Sequence, residues 1–244
     1  MRYVYDGTFE GALCAVHHAY YNHQVPEEIV SIDGLQEDLF GDYIMIETDE
    51  KKYKDVYHSI PRKISYDALY TVYNVFLSNE ADKATVIYNF LRLGYQLGYS
   101  VYLHHQNEWV LRAQKINRYV TYEAHRLKGF ARFADMDGGI LYAEITPINN
   151  VLELLCPYFS DRLRSQPWII YDKKRGIAGI YDTSKWVISQ VNHAVIPQYS
   201  EDEQHYQDLW RLFYKTITVE GRENPNLRRQ LMPKMYWKNM TEFK

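Results

Sequence analysis

A chain is limited first by the longest apolar stripe it has to bury. From Asn107 to Leu127, Trp109, Ala113, Ile116, Val120, Ala124 and Leu127 recur at steps of 4, 3, 4, 4 and 3. Only an α-helix brings such a series onto one face. Glu108, Arg112, Lys115 and Arg118 fall on the opposite face. The spacing therefore predicts a helix about 30 Å long, apolar inward and charged outward. Two shorter stripes precede it. Ser65–Ser78 carries Leu69, Val72 and Phe76, and Asp82–Leu97 carries Ala84, Ile87, Leu91 and Tyr95.

After Leu127 the period drops to 2. Gly129–Ala134 and Ile140–Ile145 flank Asp135-Met136-Asp137-Gly138-Gly139. Trp168–Asp172 and Ile177–Asp182 flank Lys173-Lys174-Arg175-Gly176. Each is a hairpin signal, because glycine supplies the positive φ a tight turn needs. Between them Pro147 and Asn149-Asn150 open a helix through Val151, Leu155, Tyr158 and Leu163, and Trp186–Val191 reads as a further strand. The expected class is α+β: a mainly antiparallel sheet built from two hairpins and covered by several amphipathic helices.

The flanks are read the same way. Residues 2–5 alternate as a strand, Asp6-Gly7-Thr8 is a turn with Asp6 or Thr8 as a cap, and Phe9–Tyr21 is a helix with Leu13, Val16 and Tyr20 on one face. Residues 22–41 hold Pro26, Gly34 and Gly41 and read mostly as loop; Tyr43–Glu47 is a short strand. Ser200–Glu203 spells a capping box, opening a helix with Tyr206, Leu209, Trp210, Phe213 and Ile217 inward. The tail 222–244 reads as short helical pieces, since Leu227, Leu231, Tyr236, Trp237 and Phe243 need burial. No repeat or linker interrupts the chain. One integrated domain is expected over residues 1–244, with a helical region about 61–127, a sheet-rich region about 129–191 and a helical C-terminal region about 200–244.

Composition narrows the class. The 244 residues are 46% hydrophobic and 24% charged, which excludes a disordered chain, a collagen and a coiled-coil rod. No run approaches the ~18 apolar residues that cross a bilayer, and Met1-Arg2-Tyr3-Val4-Tyr5-Asp6 lacks the apolar stretch of a signal peptide. Cys14 and Cys156 form no motif, so a cytoplasmic protein with free thiols is expected. The net charge of -3 is uneven. Residues 1–60 hold 4 Lys/Arg against 12 Asp/Glu, residues 108–185 hold 12 against 9, and residues 222–244 hold 6 against 2. That pattern fits one acidic and one basic face.

Catalytic signatures are sparse. Gly-x-Gly-x-x-Gly, Gly-x4-Gly-Lys-Ser/Thr, Gly-x-Ser-x-Gly, Cys-x-x-Cys and His-Glu-x-x-His are all missing from the sequence, so no cofactor and no metal is expected. Cys14, His17 and His18 share a helical face and could ligate a soft metal, against the simpler reading of a buried thiol beside two surface imidazoles. His104-His105 reads as an exposed turn. Glu10, Glu123, Glu144 and Asp172 are the carboxylates available for acid–base work, each equally suited to a cap or an ion pair.

The densest constellation is His125-Arg126-Leu127-Lys128-Gly129-Phe130-Ala131-Arg132-Phe133. A helix ends in cations, glycine permits a sharp exit, and a strand begins with Phe and Arg alternating. Arg126 and Arg132 could hold phosphate bidentately. Arg162 stands at the next helix end, Lys174 and Arg175 at the second hairpin tip, and Lys234 in the basic tail. His125, Arg126, Lys128, Arg132, Arg162, Lys174, Arg175 and Lys234 are therefore the candidate nucleic-acid-binding set, with helix capping and ion pairing as the competing use. Trp168 and Tyr142 could stack unpaired bases or belong to the core.

The same stretch resembles a known family. The Arg126 junction is followed in order by Leu141-Tyr142-Ala143-Glu144-Ile145-Thr146-Pro147, Tyr158-Phe159-Ser160-Asp161-Arg162 and Trp168-Ile169-Ile170-Tyr171-Asp172-Lys173-Lys174-Arg175. Tyr5-Asp6-Gly7-Thr8-Phe9-Glu10-Gly11 resembles that family's start. Leu209-Trp210, Arg222-Glu223-Asn224-Pro225 and Met232-Pro233-Lys234-Met235-Tyr236-Trp237 resemble its end. It is a bacterial family of DNA metabolism or DNA repair proteins built on a domain of unknown function. Its members are encoded beside a radical-SAM protein assigned to DNA repair, and some are fused to a uracil-DNA-glycosylase-like domain. The resemblance implies a role in DNA repair, assigns no catalytic residue, and leaves no room in 244 residues for the fused domain. Three readings stay open: a DNA-binding or accessory protein, an enzyme acting on damaged or modified bases with a pocket near His125, Glu144 and Asp172, and a scaffold for the radical-SAM partner without DNA contact.

Overall fold

Asp6 Oδ1 receives both the Thr8 amide, at 2.9 Å, and the Thr8 hydroxyl, at 2.6 Å. The hydroxyl oxygen accepts the Gly11 amide, so Thr8 is the cap and Asp6 orients it. This turn joins β1 (Arg2–Tyr5) to α1 (Phe9–Tyr21) in a computed structural model that describes residues 1–35, 42–191, 198–219 and 221–243. The chain divides into two compact units, Met1–Thr121 and Tyr122–Lys244.

In the first unit β1 lies between β2 (Glu28–Ser31) and β3 (Tyr43–Met45), and both pairings are parallel. A parallel pair needs a crossover, which α1 supplies between β1 and β2. The expected loop over 22–41 is thus corrected: its middle is a strand, and residues 36–41 lie outside the described residues. Only Ile29 of β2 is fully buried, while Thr85 Oγ1 accepts its amide at 2.8 Å. Helices α2 (Glu50–Lys63), α3 (Tyr66–Leu77), α4 (Lys83–Leu97) and the start of α5 (Glu108–Phe130) complete the unit. Asp49 caps α2 through the Lys52 amide at 2.9 Å. Tyr20 of α1 is exposed rather than inward.

The second unit carries β4 (Ala134–Met136), β5 (Ile140–Ile145), α6 (Leu152–Arg162), β6 (Trp168–Asp172), β7 (Ile177–Tyr181) and β8 (Trp186–Gln190). The strands stand in sequence order, and both hairpins form. The sheet is mixed, however, not purely antiparallel. β5 pairs parallel to β6 in the register Leu141↔Trp168 to Ile145↔Asp172, because α6 carries the chain back to the starting end of the sheet. Helix α5 also runs to Phe130, so the first hairpin strand starts at Ala134 and not at Gly129. Trp168 is fully buried and stacks on Tyr181 with centroids 5.4 Å apart.

Helices α7 (Glu203–Thr216) and α8 (Pro225–Leu231), with short 3-10 turns at Lys234–Asn239 and Thr241–Phe243, close the unit. The capping box does not form. Glu203 is buried and its carboxylate accepts the Asp135 amide at 2.7 Å. Tyr206, Leu209, Trp210 and Phe213 of α7 are exposed, as are Ile217 just after it, Leu227 and Leu231, whereas Tyr236 is buried. Helix α6 lies so close on β7 that a Cβ on Gly179 would come 2.6 Å from Cys156 Sγ. Gly179→Ala is expected to cost about 1–3 kcal/mol in urea unfolding, and Cys156→Ala in the same chain to restore part of it. An unchanged midpoint for Gly179→Ala would contradict the close approach.

Candidate nucleic-acid interface

The site begins with a carboxylate that is not part of it. Glu123 is buried on α5 and accepts the amides of Ile148 and Asn149, each at 2.8 Å, and Asn149 Nδ2 at 2.7 Å. The Tyr236 hydroxyl adds a fourth contact at 3.3 Å; burial, then the charge of Glu123, pushes that phenol far up. Such a carboxylate has its acceptor capacity filled by structure. With Glu123, Ala124 and Leu127 inward, the helix turns Tyr122, His125 and Gly129 outward.

Asp172 is the second structural carboxylate. It is completely buried, accepts the amides of Lys174 and Arg175, and pairs with Arg175 Nη1 at 2.8 Å. Arg175 also donates to the carbonyls of Pro147 and Ile148, and Lys174 Nζ reaches the Ile148 carbonyl at 3.3 Å. The hairpin tip is therefore folded onto the loop that Glu123 holds by its amides.

Arg132 is equally committed. Its Nε and Nη2 grip Glu242 at 3.1 and 2.6 Å, and Nη1 caps the Gly129 carbonyl at 2.8 Å. Burial alone would raise Glu242, but Arg132, its own backbone amide and the Trp210 indole outweigh burial and hold it below the ordinary carboxylate range. Ion pairing thus claims Arg132 and Arg175.

Four cations of the expected set are placed differently. Arg126 lies over the Tyr122 ring at 4.4 Å, Lys128 over the Tyr158 ring at 5.1 Å, and Lys234 over Trp237 at 5.9 Å. Arg162 is exposed one turn beyond Tyr158 on α6. Among the described residues none of these four has a carboxylate partner in an ion pair. His125 is exposed on the same α5 face as Tyr122 and Arg126, at spacings of three and four. Lys128 lies over Tyr158, so the end of α5 adjoins α6 there, and Tyr122, His125, Arg126, Lys128, Tyr158 and Arg162 are basic and aromatic residues of these two helix ends. Arg132 and Arg175 are held in the ion pairs described above, and Lys174 reaches the Ile148 carbonyl.

Tyr122 and Tyr158 were not among the expected stackers. A readable signal existed: Tyr122–Arg126 and Tyr158–Arg162 are both Tyr-x-x-x-Arg, which stacks ring and guanidinium on one helix face. Trp168 and Tyr142, the expected candidates, are both buried. Cys14 Sγ contacts the Asp49 amide and carbonyl at 3.3 and 3.4 Å, and burial raises its thiol. His17 stacks on Tyr21 at 4.1 Å and His18 meets Tyr3 edge-on at 5.3 Å; burial lowers both imidazoles. Among the described residues no three His, Cys, Asp or Glu are grouped to hold a metal ion. Glu10 and the His104-His105 pair are exposed, and Glu144 is partly buried with Lys173 Nζ at 3.3 Å.

Fold and surface together define a mixed α/β protein with two sheets and a cation–tyrosine face at one helix end. Residues 81–242 match the family described as a domain of unknown function, DUF4130, and the chain belongs to that family. No curated protein and no solved structure matches the chain. The matched span includes every residue of the cation–tyrosine face.

The two kinds of cation are separable by stability. Arg132→Ala is expected to lower stability by about 2–4 kcal/mol by stranding Glu242, and Arg126→Ala to stay within about 0.5 kcal/mol. Because the folded pKa of Glu242 lies below its ordinary 4.5, the pair's contribution is full above that pH and is lost as pH falls through the lower folded value. Arg132→Ala should therefore flatten the acid side of the stability–pH curve. Equal losses in the two variants would contradict the division.

Proposed function

We propose that the chain is a DNA-binding accessory protein of bacterial DNA repair or DNA metabolism. One observation carries the reading: among the described residues Arg126 and Lys128 have no carboxylate partner, and they lie over the rings of exposed Tyr122 and half-buried Tyr158 near the ends of α5 and α6. Cations neutralise phosphate oxygens, and guanidinium does so bidentately. Tyrosine rings stack on bases, provided those bases are unpaired. A surface with both favours a single strand or a distorted duplex over a regular one. The resemblance of the Arg126 junction to DNA repair proteins supplies the setting. A radical-SAM repair protein or a uracil-DNA-glycosylase-like protein would then carry out the chemistry while this chain holds the strand.

A second reading, a scaffold for such a partner without DNA contact, is favoured by α7. Leu209, Trp210, Leu212 and Phe213 are exposed along it, a contiguous apolar surface of the kind that marks protein contacts. Co-purification with the radical-SAM partner that survives moderate salt, without DNA affinity, would select this reading.

The test of the first is fluorescence anisotropy with labelled single-stranded and duplex DNA across a salt series. Tighter single-strand binding is expected. Arg126→Ala with Lys128→Ala should reduce the slope of log K against log[salt] by about 1 to 2, with the fold retained. A slope equal to the wild type's would remove this face from the proposal.

A further inference from the structure

Helix α7 packs on its own unit by its polar side. Glu203 accepts the Asp135 amide at 2.7 Å, and Gln207 donates to Glu203 at 2.7 Å. Arg211 Nε donates to the Thr241 carbonyl at 3.3 Å, and the Tyr214 ring meets Phe243 edge-on at 5.6 Å. Steps of 4, 4 and 3 put these four residues on one side of the helix. Tyr206, Leu209 and Phe213, with Ile217 just past the helix end, recur at steps of 3, 4 and 4. They lie about a quarter turn further round, and each is between 46% and 58% exposed. Trp210 stands between the two sides: its indole donates to Glu242 at 3.1 Å, yet the residue is 40% exposed. A surface helix ordinarily turns its apolar stripe to the core. In α7 the stripe is turned out.

Size and charge say what covers it. Half-exposed side chains of this kind leave roughly 100 Å² each, so these five and the flanking Leu212 offer roughly 600 Å² of apolar surface per chain. A standard interface buries ~800 Å² per partner, polar rim included. The start of α7 is acidic, with Glu201 and Asp202, and its far end is basic, with Lys215 and Arg222; all four are exposed. A second α7 laid antiparallel on the first brings each acidic end to the other's basic end and opposes the two helix dipoles. A two-fold axis presents the same patch from both sides, so apolar meets apolar along the full length. In that register Tyr206 faces Ile217 of the other copy, Trp210 faces Phe213, and Glu201 faces Arg222.

We infer that α7 is a self-association surface, on which two copies of this chain pair their α7 helices antiparallel about a two-fold axis. The inference stands apart from the DNA-binding reading. It gives this face to a second copy in place of the radical-SAM partner of the scaffold reading.

Sedimentation equilibrium on the full chain at roughly 10 μM is expected to give twice the 29.1 kDa of one chain. Leu209→Glu with Phe213→Glu should give the single-chain mass with helical circular dichroism retained, since both side chains face solvent in the single copy. Leu103→Glu, at a leucine of the first unit that is 74% exposed, should leave the dimer intact. Arg126→Ala with Lys128→Ala should leave it intact too, so failure of the DNA-binding reading would not touch this result. Cross-linking needs no glutamate variant to fold. A short bis-maleimide should join a Tyr206→Cys chain to an Ile217→Cys chain, and Cys14 and Cys156 do not compete because they are buried. Four results would overturn the inference: a single-chain mass up to roughly 100 μM, a dimer that survives Leu209→Glu with Phe213→Glu, a dimer lost in Leu103→Glu, or a Tyr206→Cys chain that cross-links to itself in preference, which would mean parallel helices. If the chain is single and Leu209→Glu with Phe213→Glu abolishes capture by the radical-SAM partner, the face belongs to that partner.

Discussion

The second unit depends on one buried carboxylate. Glu123 takes two backbone amides and a side-chain amide from the loop at 148–149, and the Tyr236 hydroxyl from the C-terminal segment. A buried acceptor left unmatched is costly, so these partners are bound to it as a group. The loop's other side is held too, since its carbonyls take Arg175 and Lys174. One anion therefore fixes the position of the second hairpin tip relative to the end of α5. It also fixes which side of α5 faces out. That is why Tyr122, His125 and Arg126 form a surface while the neighbouring Ala124 and Leu127 form core.

Burial then sorts the basic residues into two uses. Arg132 and Arg175 sit against carboxylates that are almost fully enclosed, and each adds backbone carbonyls as acceptors. Charge placed in that way stabilises the fold and is not available to a ligand. Arg126 and Lys128 meet aromatic faces instead. A cation on a ring keeps its hydrogen-bond donors directed outward, and the ring keeps its other side for stacking. The same residue types in the same short segment thus do opposite work, and partner identity decides which.

Much of the fold was legible because it is local. The Asp6–Thr8 turn, the α5 stripe and the glycines at 138, 139 and 176 with positive φ each carry their own instruction. The failures are non-local. The direction of β6 depends on where α6 returns the chain, which no residue of either hairpin states. Helix α2 buries only Val56 and Ile60, too thin a stripe to stand out from its charges. Strand β2 is one buried isoleucine beside a helix threonine. Glu203 obeys the capping-box pattern but is drawn to a distant amide at Asp135. The site was half legible for the same reason. The basic junction is visible in the sequence, but which of its cations find carboxylates depends on Glu242 and Asp172, and Glu242 lies 110 residues beyond Arg132. The Tyr-x-x-x-Arg pairs are local, and they could have been read.

The central claim is that the surface at the ends of α5 and α6 touches an unpaired strand while the hairpin tip and Arg132 do not. Photo-cross-linking with a bromodeoxyuridine-substituted single strand, mapped by mass spectrometry, measures that contact directly. Adducts on Tyr122 or Tyr158 are the result the account predicts. Adducts confined to the hairpin tip at 173–175, or a bound strand with no adduct in the segments 122–130 and 158–162, would contradict it.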